Sequence, residues 1–323
     1  MRPLKFHPIL KQTLWGGERI IPYKELASGL SRVGESWELS GMPGSESVVA
    51  EGPWAGSTLS ELIGHFGAEL LGKANYARFG QEFPLLVKFI DAREDLSIQV
   101  HPDDELARKR HGKSGKCEMW YVLEAEPGAS LLTGFSRPIA PAEYERRVAD
   151  NTLTDVLNRQ AIASGDVFYL PAGRVHSIGK GSFIVEIQQS SDITYRIYDF
   201  DRRDAAGNSR ELHTELAREA IDFESSENSR ITYAPENNQE VRLVTTPYFT
   251  TSLYTLTART RCDWSATDSF VAIVLLQGSG SLTDNEGNRI NVRQGETWLL
   301  PASTQWTEIT PHTAPLRLLT SRI

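Results

Sequence analysis

Two short segments restrict the fold of this chain more than any other part of its sequence. Residues 96–101 alternate in polarity, so Gln99 and His101 point to the same face of a predicted β-strand. Pro102 ends that strand, because proline has no N–H to donate to a sheet. Glu118 then opens the next apolar strand, CEMWYVL. The two segments therefore bring three polar side chains to the ends of neighbouring strands.

A third segment supplies the remaining candidate ligand. In GDVFYLPAGRVH (165–176), a Gly-Asp turn leads into an apolar strand that breaks at Pro171, and His176 follows. Two imidazoles, a carboxylate and an amide oxygen suit a divalent metal, and a site with two His and one carboxylate is typical of catalytic zinc or iron. Each residue alone is more often structural. The combination is typical of a metal-binding cupin and predicts four ligands: Gln99, His101, Glu118 and His176.

The longer pattern around these residues resembles the type I mannose-6-phosphate isomerases (phosphomannose isomerases) in their short bacterial form. The shared stretches lie in order along the first two thirds of the chain. They are LWGG (14–17), GESWELSG (34–41), FPLLVKFIDA (83–92), LSIQVHPDD (96–104), GKCEMWYVL (115–123), GDVFYLPAGRVHSIG (165–179) and TYRIYDFDR (194–202). The resemblance implies an aldose–ketose isomerase that interconverts mannose 6-phosphate and fructose 6-phosphate with one Zn²⁺ per chain.

The same resemblance implies roles for individual residues. The four metal-ligand positions match the family's zinc ligands. Catalytic roles are implied for Arg196, Lys116 and Glu186, and substrate-binding roles for Ser97, Lys88 and Trp15. From spacing alone, Trp15 fits a packing role better than a sugar contact. The group that transfers the proton stays open between Glu186, Lys116 and a metal-bound water.

The last third of the chain repeats the cupin pattern without its ligands. GETWLLPASTQW (295–306) aligns with GDVFYLPAGRVH, and FVAIVL (270–275) aligns with EMWYVL (118–123). This alignment places Phe270 at the position of Glu118 and Trp306 at that of His176. The second copy is therefore predicted to bind no metal and to fill its interior with these aromatic side chains.

These patterns predict a mainly β protein of tandem cupin (jelly-roll) domains with a small helical insert. The catalytic cupin is expected to span 1–225, with helical inserts at 58–82 and 141–160, and the second cupin 240–323. A Thr-x-x-Glu capping box marks the start of the first insert. Residues 183–200 are predicted to be strand-like, with Glu186 and Arg196 on one face if no bulge intervenes.

Composition narrows the class of partner. The chain has 323 residues and a net charge of −8, which argues against binding to nucleic acid or to anionic membranes. Two distant cysteines do not form a disulfide framework, and no apolar run has the length of a membrane helix. We therefore expect a cytoplasmic protein, a monomer or weak homodimer, whose partner is a small sugar phosphate.

Two other functions fit the same ligands. A non-haem iron oxygenase would use His101, Glu118 and His176 as a two-His, one-carboxylate triad. A fourth ligand at Gln99 and the nearby basic residues argue against that function. The other alternative is a non-catalytic cupin that binds a sugar phosphate without turning it over.

Overall fold

Strands dominate the structure, a computed structural model that describes residues 1–204, 206–224 and 228–323, and the mainly β class predicted from the sequence is confirmed. The strands are β1 Leu4–Lys5, β2 Ile9–Gly17, β3 Val33–Leu39, β4 Gly41–Met42, β5 Ser45–Glu46, β6 Leu85–Ala92, β7 Ile98–Val100, β8 Glu118–Ala125, β9 Ser130–Phe135, β10 Leu157–Ala161, β11 Val167–Leu170, β12 His176–Ile178, β13 Ser182–Gln189, β14 Tyr195–Tyr198, β15 Arg230–Ile231, β16 Val241–Thr245, β17 Thr250–Leu256, β18 Thr260–Asp263, β19 Val271–Gln277, β20 Ser279–Asp284, β21 Arg289–Arg293, β22 Thr297–Leu300, β23 Trp306–Pro311 and β24 Leu316–Arg322. The helices are α1 Ile20–Tyr23, α2 Leu59–Phe66, α3 Ala68–Leu71, α4 Lys73–Phe79, α5 Asp104–His111, α6 Pro141–Ala149 and α7 Thr214–Ala220, with a short 3₁₀ helix at Leu153–Val156.

Two antiparallel sheets form the first β unit. The larger has the order β15-β11-β8-β13-β6-β2-β3, and the smaller has the order β10-β9-β12-β7-β14. Apolar side chains from both sheets, including Trp120, Phe168 and Ile178, fill part of the space between them. The outer face of the smaller sheet is covered by α6 and α7, which contribute Tyr144 and Ala217 to a second cluster. The candidate site lies between the two sheets.

Two further sheets form the second β unit, with orders β1-β22-β19-β24-β17-β16 and β18-β23-β20-β21. The six-stranded sheet packs on the outer face of the seven-stranded sheet, so the largest apolar cluster contains residues of both units. Phe83 and Phe270 meet there with their ring centroids 4.8 Å apart. The N-terminal strand β1 pairs with β22, which ties the start of the chain to the second unit. The boundaries of the two predicted cupin domains remain predictions.

The helices follow the local signals in the sequence. The capping box at the start of α2 is formed, since the Glu61 amide donates to Thr58 Oγ1 at 3.2 Å and the Thr58 amide donates to Glu61 Oε2 at 2.8 Å. Gly67 then ends α2 with a φ of 51°, a conformation that favours glycine, and the chain restarts as α3. Residues 157–160 of the second predicted insert form strand rather than helix. Within the described part of the chain, no helix combines the length and apolarity needed to cross a membrane.

The predicted alignment of the second unit is wrong by one residue. Leu170 pairs with Glu118 in the first unit, whereas its counterpart Leu300 pairs with Val271. Val271 is therefore the structural equivalent of Glu118, and it lies in the interior cluster of the second unit. Because side chains alternate across a strand, the shift of one residue turns Phe270 to the outer face, where it packs between the units.

Trp306 is also not the interior residue that the alignment predicted. It is half-buried, and the guanidinium carbon of Arg261 lies 4.2 Å from its ring centroid. Its neighbour Thr307 is the fully buried residue and accepts a hydrogen bond of 3.0 Å from the Trp264 indole. The interior of the second unit is filled instead by an apolar cluster that includes Trp264 and Trp298.

The segment 183–200 is two strands in two different sheets. Strand β13 lies in the seven-stranded sheet, and β14 pairs with β7 in the facing sheet, with an irregular register after Arg196. The expectation that Glu186 and Arg196 share one strand face is therefore wrong. Both residues nevertheless line one cleft, because the two sheets face each other across it.

Candidate active site

Three of the four predicted ligands form a buried cluster between the two sheets. Ligand atoms of His101, Glu118 and His176 all lie within 4.8 Å of one another. Register explains the meeting: His176 in β12 pairs directly with Gln99 in β7, and Glu118 begins β8 on the facing sheet. The sequence prediction that these ligands converge is consistent with this geometry.

Backbone carbonyl groups orient both imidazoles. Nδ1 of His101 lies 2.7 Å from the Ile193 carbonyl oxygen, and Nδ1 of His176 lies 2.8 Å from that of Arg174. A carbonyl accepts only, so each Nδ1 carries the proton and each Nε2 presents a lone pair. The two Nε2 atoms lie 3.2 and 3.5 Å from the Glu118 carboxylate. Such carbonyl partners are the usual orienting groups of metal-bound histidines.

The electrostatics of the cluster favour two neutral imidazoles and one carboxylate. Burial lowers the pKa of His101 to about 3, with the nearby Lys116 ammonium acting in the same direction. Burial also lowers the pKa of His176. For Glu118, burial raises the pKa, but Lys116 and His101 outweigh it and keep the pKa well below its usual value. Neither Glu118 oxygen accepts a well-directed hydrogen bond from a described residue. These donors fit a divalent cation.

Gln99 contacts this cluster through its amide. Its Nε2 lies 3.3 Å from His176 Nε2, while its Oε1 accepts a hydrogen bond of 3.3 Å from Ser97 Oγ. A metal ligand would need the oxygen on the side of His176, which a rotation of the amide supplies. Ser97 therefore lies next to the candidate ligands, as its predicted substrate role requires.

Lys116 stands two residues before Glu118 and lies on the same side as that carboxylate. Its ammonium nitrogen lies 2.5 Å from Glu118 Oε1 and 3.2 Å from His101 Nε2. The Cys117 side chain points away and is buried, and its thiol accepts a hydrogen bond from the Ala172 amide. Lys116 thus places an ammonium group beside the cluster of His101, Glu118 and His176.

An open cleft of about 620 Å³ leads to this cluster. Every predicted catalytic and substrate residue lines it: Trp15, Lys88, Ser97, Lys116, Glu186 and Arg196. Trp15 is 4% exposed and also belongs to the apolar cluster between the sheets, so it packs in the interior and its sugar contact stays a prediction. The volume suits a small, polar ligand.

One wall of the cleft carries a buried chain of paired charges. Lys88 Nζ lies 3.0 Å from Glu186 Oε1 and 3.8 Å from Glu35 Oε2, so the buried ammonium has a buried carboxylate as its nearer partner. Burial lowers the pKa of Lys88, but Glu186 and Glu35 reverse the effect and raise it above its usual value. The Trp120 indole donates to Glu186 Oε2 at 2.9 Å, and its ring meets that of His176 edge-on.

Arginines line another part of the cleft. Arg196 and Arg210 both lie there, and Arg210 donates to Asp199 Oδ2 at 2.7 Å. Burial, followed by the nearby Arg210, lowers the pKa of Arg196. The buried Nε of Arg196 donates to no described residue. Arg32 lines the same cleft. This concentration of cations is suited to an anion.

Sequence reasoning did not identify Arg210, Arg32 or Glu35. Arg210 lies in a polar segment that carries none of the shared stretches. A usable signal was the acidic residue Asp199 in the nearby motif TYRIYDFDR, because a carboxylate beside a predicted active-site arginine often orients a second one. Arg32 precedes the shared stretch GESWELSG and Glu35 is its second residue, but neither lies beside a predicted site residue in the sequence.

Comparison with known proteins identifies the family of this chain. The family "Phosphomannose isomerase type I, catalytic domain" matches residues 4–132, a range that includes His101, Lys116 and Glu118. The probable mannose-6-phosphate isomerase GmuF of Bacillus subtilis (strain 168) is 34% identical over 303 residues, covering 93% of each chain. The mannose-6-phosphate isomerase of Streptococcus mutans is 33% identical over 302 residues, covering 93% of this chain and 92% of its own.

A solved structure of a mannose 6-phosphate isomerase is similar to this chain over its whole length. The crystal structure of the mannose 6-phosphate isomerase from Bacillus subtilis superposes with a TM-score of 0.90 at 30% identity and covers 100% of both chains. The similarity thus extends beyond the catalytic region to the second β unit. This chain belongs to the type I phosphomannose isomerase family.

Proposed function

We propose that this protein is a zinc-dependent aldose–ketose isomerase that interconverts mannose 6-phosphate and fructose 6-phosphate. The observation that carries the proposal is the composition of one cleft. It combines a cluster of two imidazoles and a carboxylate with a group of arginines, which are the two kinds of site that the two ends of a sugar phosphate need. Relatives named mannose-6-phosphate isomerases support mannose 6-phosphate as the substrate.

The arginines are assigned to the phosphate. Guanidinium groups bind phosphate through paired, charge-assisted hydrogen bonds, and Arg196 has a buried N–H group available for one. Arg210 is oriented by Asp199 toward the same cleft. With the phosphate at this position, the carbonyl end of the sugar is directed toward the cluster of His101 and Glu118.

His101, Glu118, His176 and Gln99 are proposed to bind the zinc ion. A divalent metal at these residues would polarise the oxygens on C1 and C2 and stabilise the negative charge that develops when a proton leaves carbon. Two neutral imidazoles and an amide add no charge, so the ligands neutralise only one of its two positive charges.

The isomerisation moves one proton between C1 and C2 and a second proton between their oxygens. Lys116 and Glu186 are the side chains of this chain that we assign to these transfers. Lys116 contacts the proposed zinc ligand Glu118, so it is placed to exchange a proton with a sugar oxygen. Glu186 is oriented by its contacts with Lys88 and Trp120, and we assign it the transfer of the proton on carbon. Trp15 and Ser97 complete the wall against which the sugar lies.

The direct test is the chemistry itself. Purified protein is expected to convert mannose 6-phosphate to fructose 6-phosphate and to run the reverse reaction with the same metal requirement. Binding of mannose 6-phosphate without conversion would instead support a non-catalytic sugar-phosphate-binding protein. The cytoplasmic location and the monomeric or weakly dimeric state remain predictions.

Replacing Arg196 with Ala is expected to lower kcat/KM without unfolding the chain. Loss of a charge-assisted hydrogen bond costs about 1.5–3 kcal/mol, which is roughly a tenfold to hundredfold change. Melting temperature and zinc content should stay near wild type, because among the described residues the Arg196 side chain hydrogen-bonds only to the Glu211 carbonyl. Arg203→Ala is the control, since Arg203 is exposed and does not line the cleft. An Arg196→Ala protein that loses zinc or unfolds would make this arginine structural.

A further inference from the structure

A second cleft of about 510 Å³ lies outside the site described above. It opens between α4, α5 and the loop that follows α5, and it shares no lining residue with the first cleft. Its size is close to that of the first cleft and falls in the range of small-molecule sites. None of its lining residues has a role in the proposed isomerisation.

The charges around this second cleft favour an anion. Arg78 from α4, Arg108 from α5 and Lys113 from the loop line it together with two carboxylates, Glu82 and Asp104. The lining therefore has a net positive charge. Asp104 is already engaged, because its Oδ1 accepts from the Gly115 amide at 2.8 Å and from Gln189 Nε2 at 3.0 Å.

Neither arginine of this cleft forms an ion pair with a described residue. Lys113 pairs with Asp192 at 2.8 Å, but no carboxylate among the described residues lies within ion-pair distance of Arg78 or Arg108. Arg78 makes one long hydrogen bond, 3.4 Å, to the Pro247 carbonyl. Both guanidinium groups are exposed and belong to different helices, so a phosphate in the cleft can gain hydrogen bonds from two sides.

The rest of the lining is suited to a carbon skeleton with hydroxyl groups. Phe79, Met42 and Phe83 supply apolar surface, and Ser114 and Ser190 supply hydroxyls. The guanidinium of Arg78 lies over the Phe79 ring at 4.7 Å, which places cation and apolar surface side by side. A phosphate attached to a small organic skeleton uses both kinds of contact.

We propose that this second cleft binds a small phosphomonoester, with its phosphate on Arg78 and Arg108 and its skeleton against Phe79 and Met42. The site is distinct from the substrate cleft and does not depend on the proposed isomerase activity. The second cleft lies close to the start of strand β8. Gln189 in its lining accepts a hydrogen bond of 2.9 Å from the Cys117 amide. Cys117 stands between Lys116 and Glu118 in the chain.

Equilibrium dialysis of the zinc-loaded full chain with radiolabelled inorganic phosphate tests this site. Arg78→Ala/Arg108→Ala is expected to bind one phosphate fewer per chain than wild type, or to weaken one site by at least about tenfold. Arg146→Ala/Arg242→Ala removes the same charge from exposed positions outside both clefts, and it should bind as wild type does. All these positions are exposed, and a melting temperature confirms that each variant is folded.

Equal phosphate binding by the two double variants would overturn the proposal. The result is read as their difference, so it does not depend on how much phosphate the substrate cleft binds. Isomerase activity without phosphate is expected to be near wild type in both variants. A failure of this second site is therefore distinguishable from a failure of the proposed function.

Discussion

Replacing His101 and His176 together with Ala is expected to abolish metal binding and to lower isomerase turnover by at least about 10³-fold. The two imidazoles supply both nitrogen donors of the buried cluster, and the remaining Glu118 carboxylate and Gln99 amide are too few ligands to retain zinc. The measurements are metal content by elemental analysis and the rate of mannose 6-phosphate conversion. We expect the variant to lose both its metal and its turnover while it keeps its strand content.

The matched control is His7→Ala/His312→Ala. Both of these histidines are exposed, and neither lies near the cleft, so the control should keep its metal and its turnover. Stoichiometric metal in the His101→Ala/His176→Ala protein would place the metal site elsewhere. Loss of metal with full turnover would mean that the cluster has no part in catalysis.

Phe270→Ala is expected to lower the free energy of unfolding by about 3–5 kcal/mol, the usual cost of truncating a fully buried phenylalanine. Its side chain is 0% exposed and packs on Phe83 where the two units meet. Turnover per folded molecule should stay near wild type, because Phe270 is on the far side of the seven-stranded sheet from the cleft. Denaturant unfolding and the isomerase assay measure the two quantities.

Trp306→Ala serves as the comparison for this prediction. Trp306 is half-buried and covered by Arg261, so its truncation should cost only roughly 1 kcal/mol. Equal, large losses in the two variants would support the original alignment, in which both aromatics fill the interior. Loss of sugar binding without loss of stability would give the second unit a ligand site of its own.

The meeting of His101, Glu118 and His176 could be predicted from the sequence because the signals are local. Gln99 and His101 lie two residues apart before a proline, and Glu118 and His176 stand at the ends of recognisable strands. Strand periodicity therefore determines which way these side chains point. The same local rule placed Lys116 beside Glu118, and the structure shows the two in contact.

Features that depend on pairing between distant segments could not be predicted from local periodicity in the sequence. An alignment by apolar pattern tolerated a shift of one residue, and that shift moved Phe270 from the outer face to the predicted interior. Glu186 and Arg196 belong to one apparent strand in the sequence, but the chain crosses to the facing sheet between them. Arg210 reaches the cleft only because the loop after β14 returns to Asp199.

Zinc titration of the metal-stripped protein tests the central claim most directly, with fructose 6-phosphate production from mannose 6-phosphate as the readout. The account predicts negligible activity without metal, then a linear rise that reaches its maximum at one zinc per chain. Full activity in the metal-free protein would contradict the account. So would the absence of fructose 6-phosphate at saturating zinc, accompanied by oxygen uptake when ferrous iron is supplied instead.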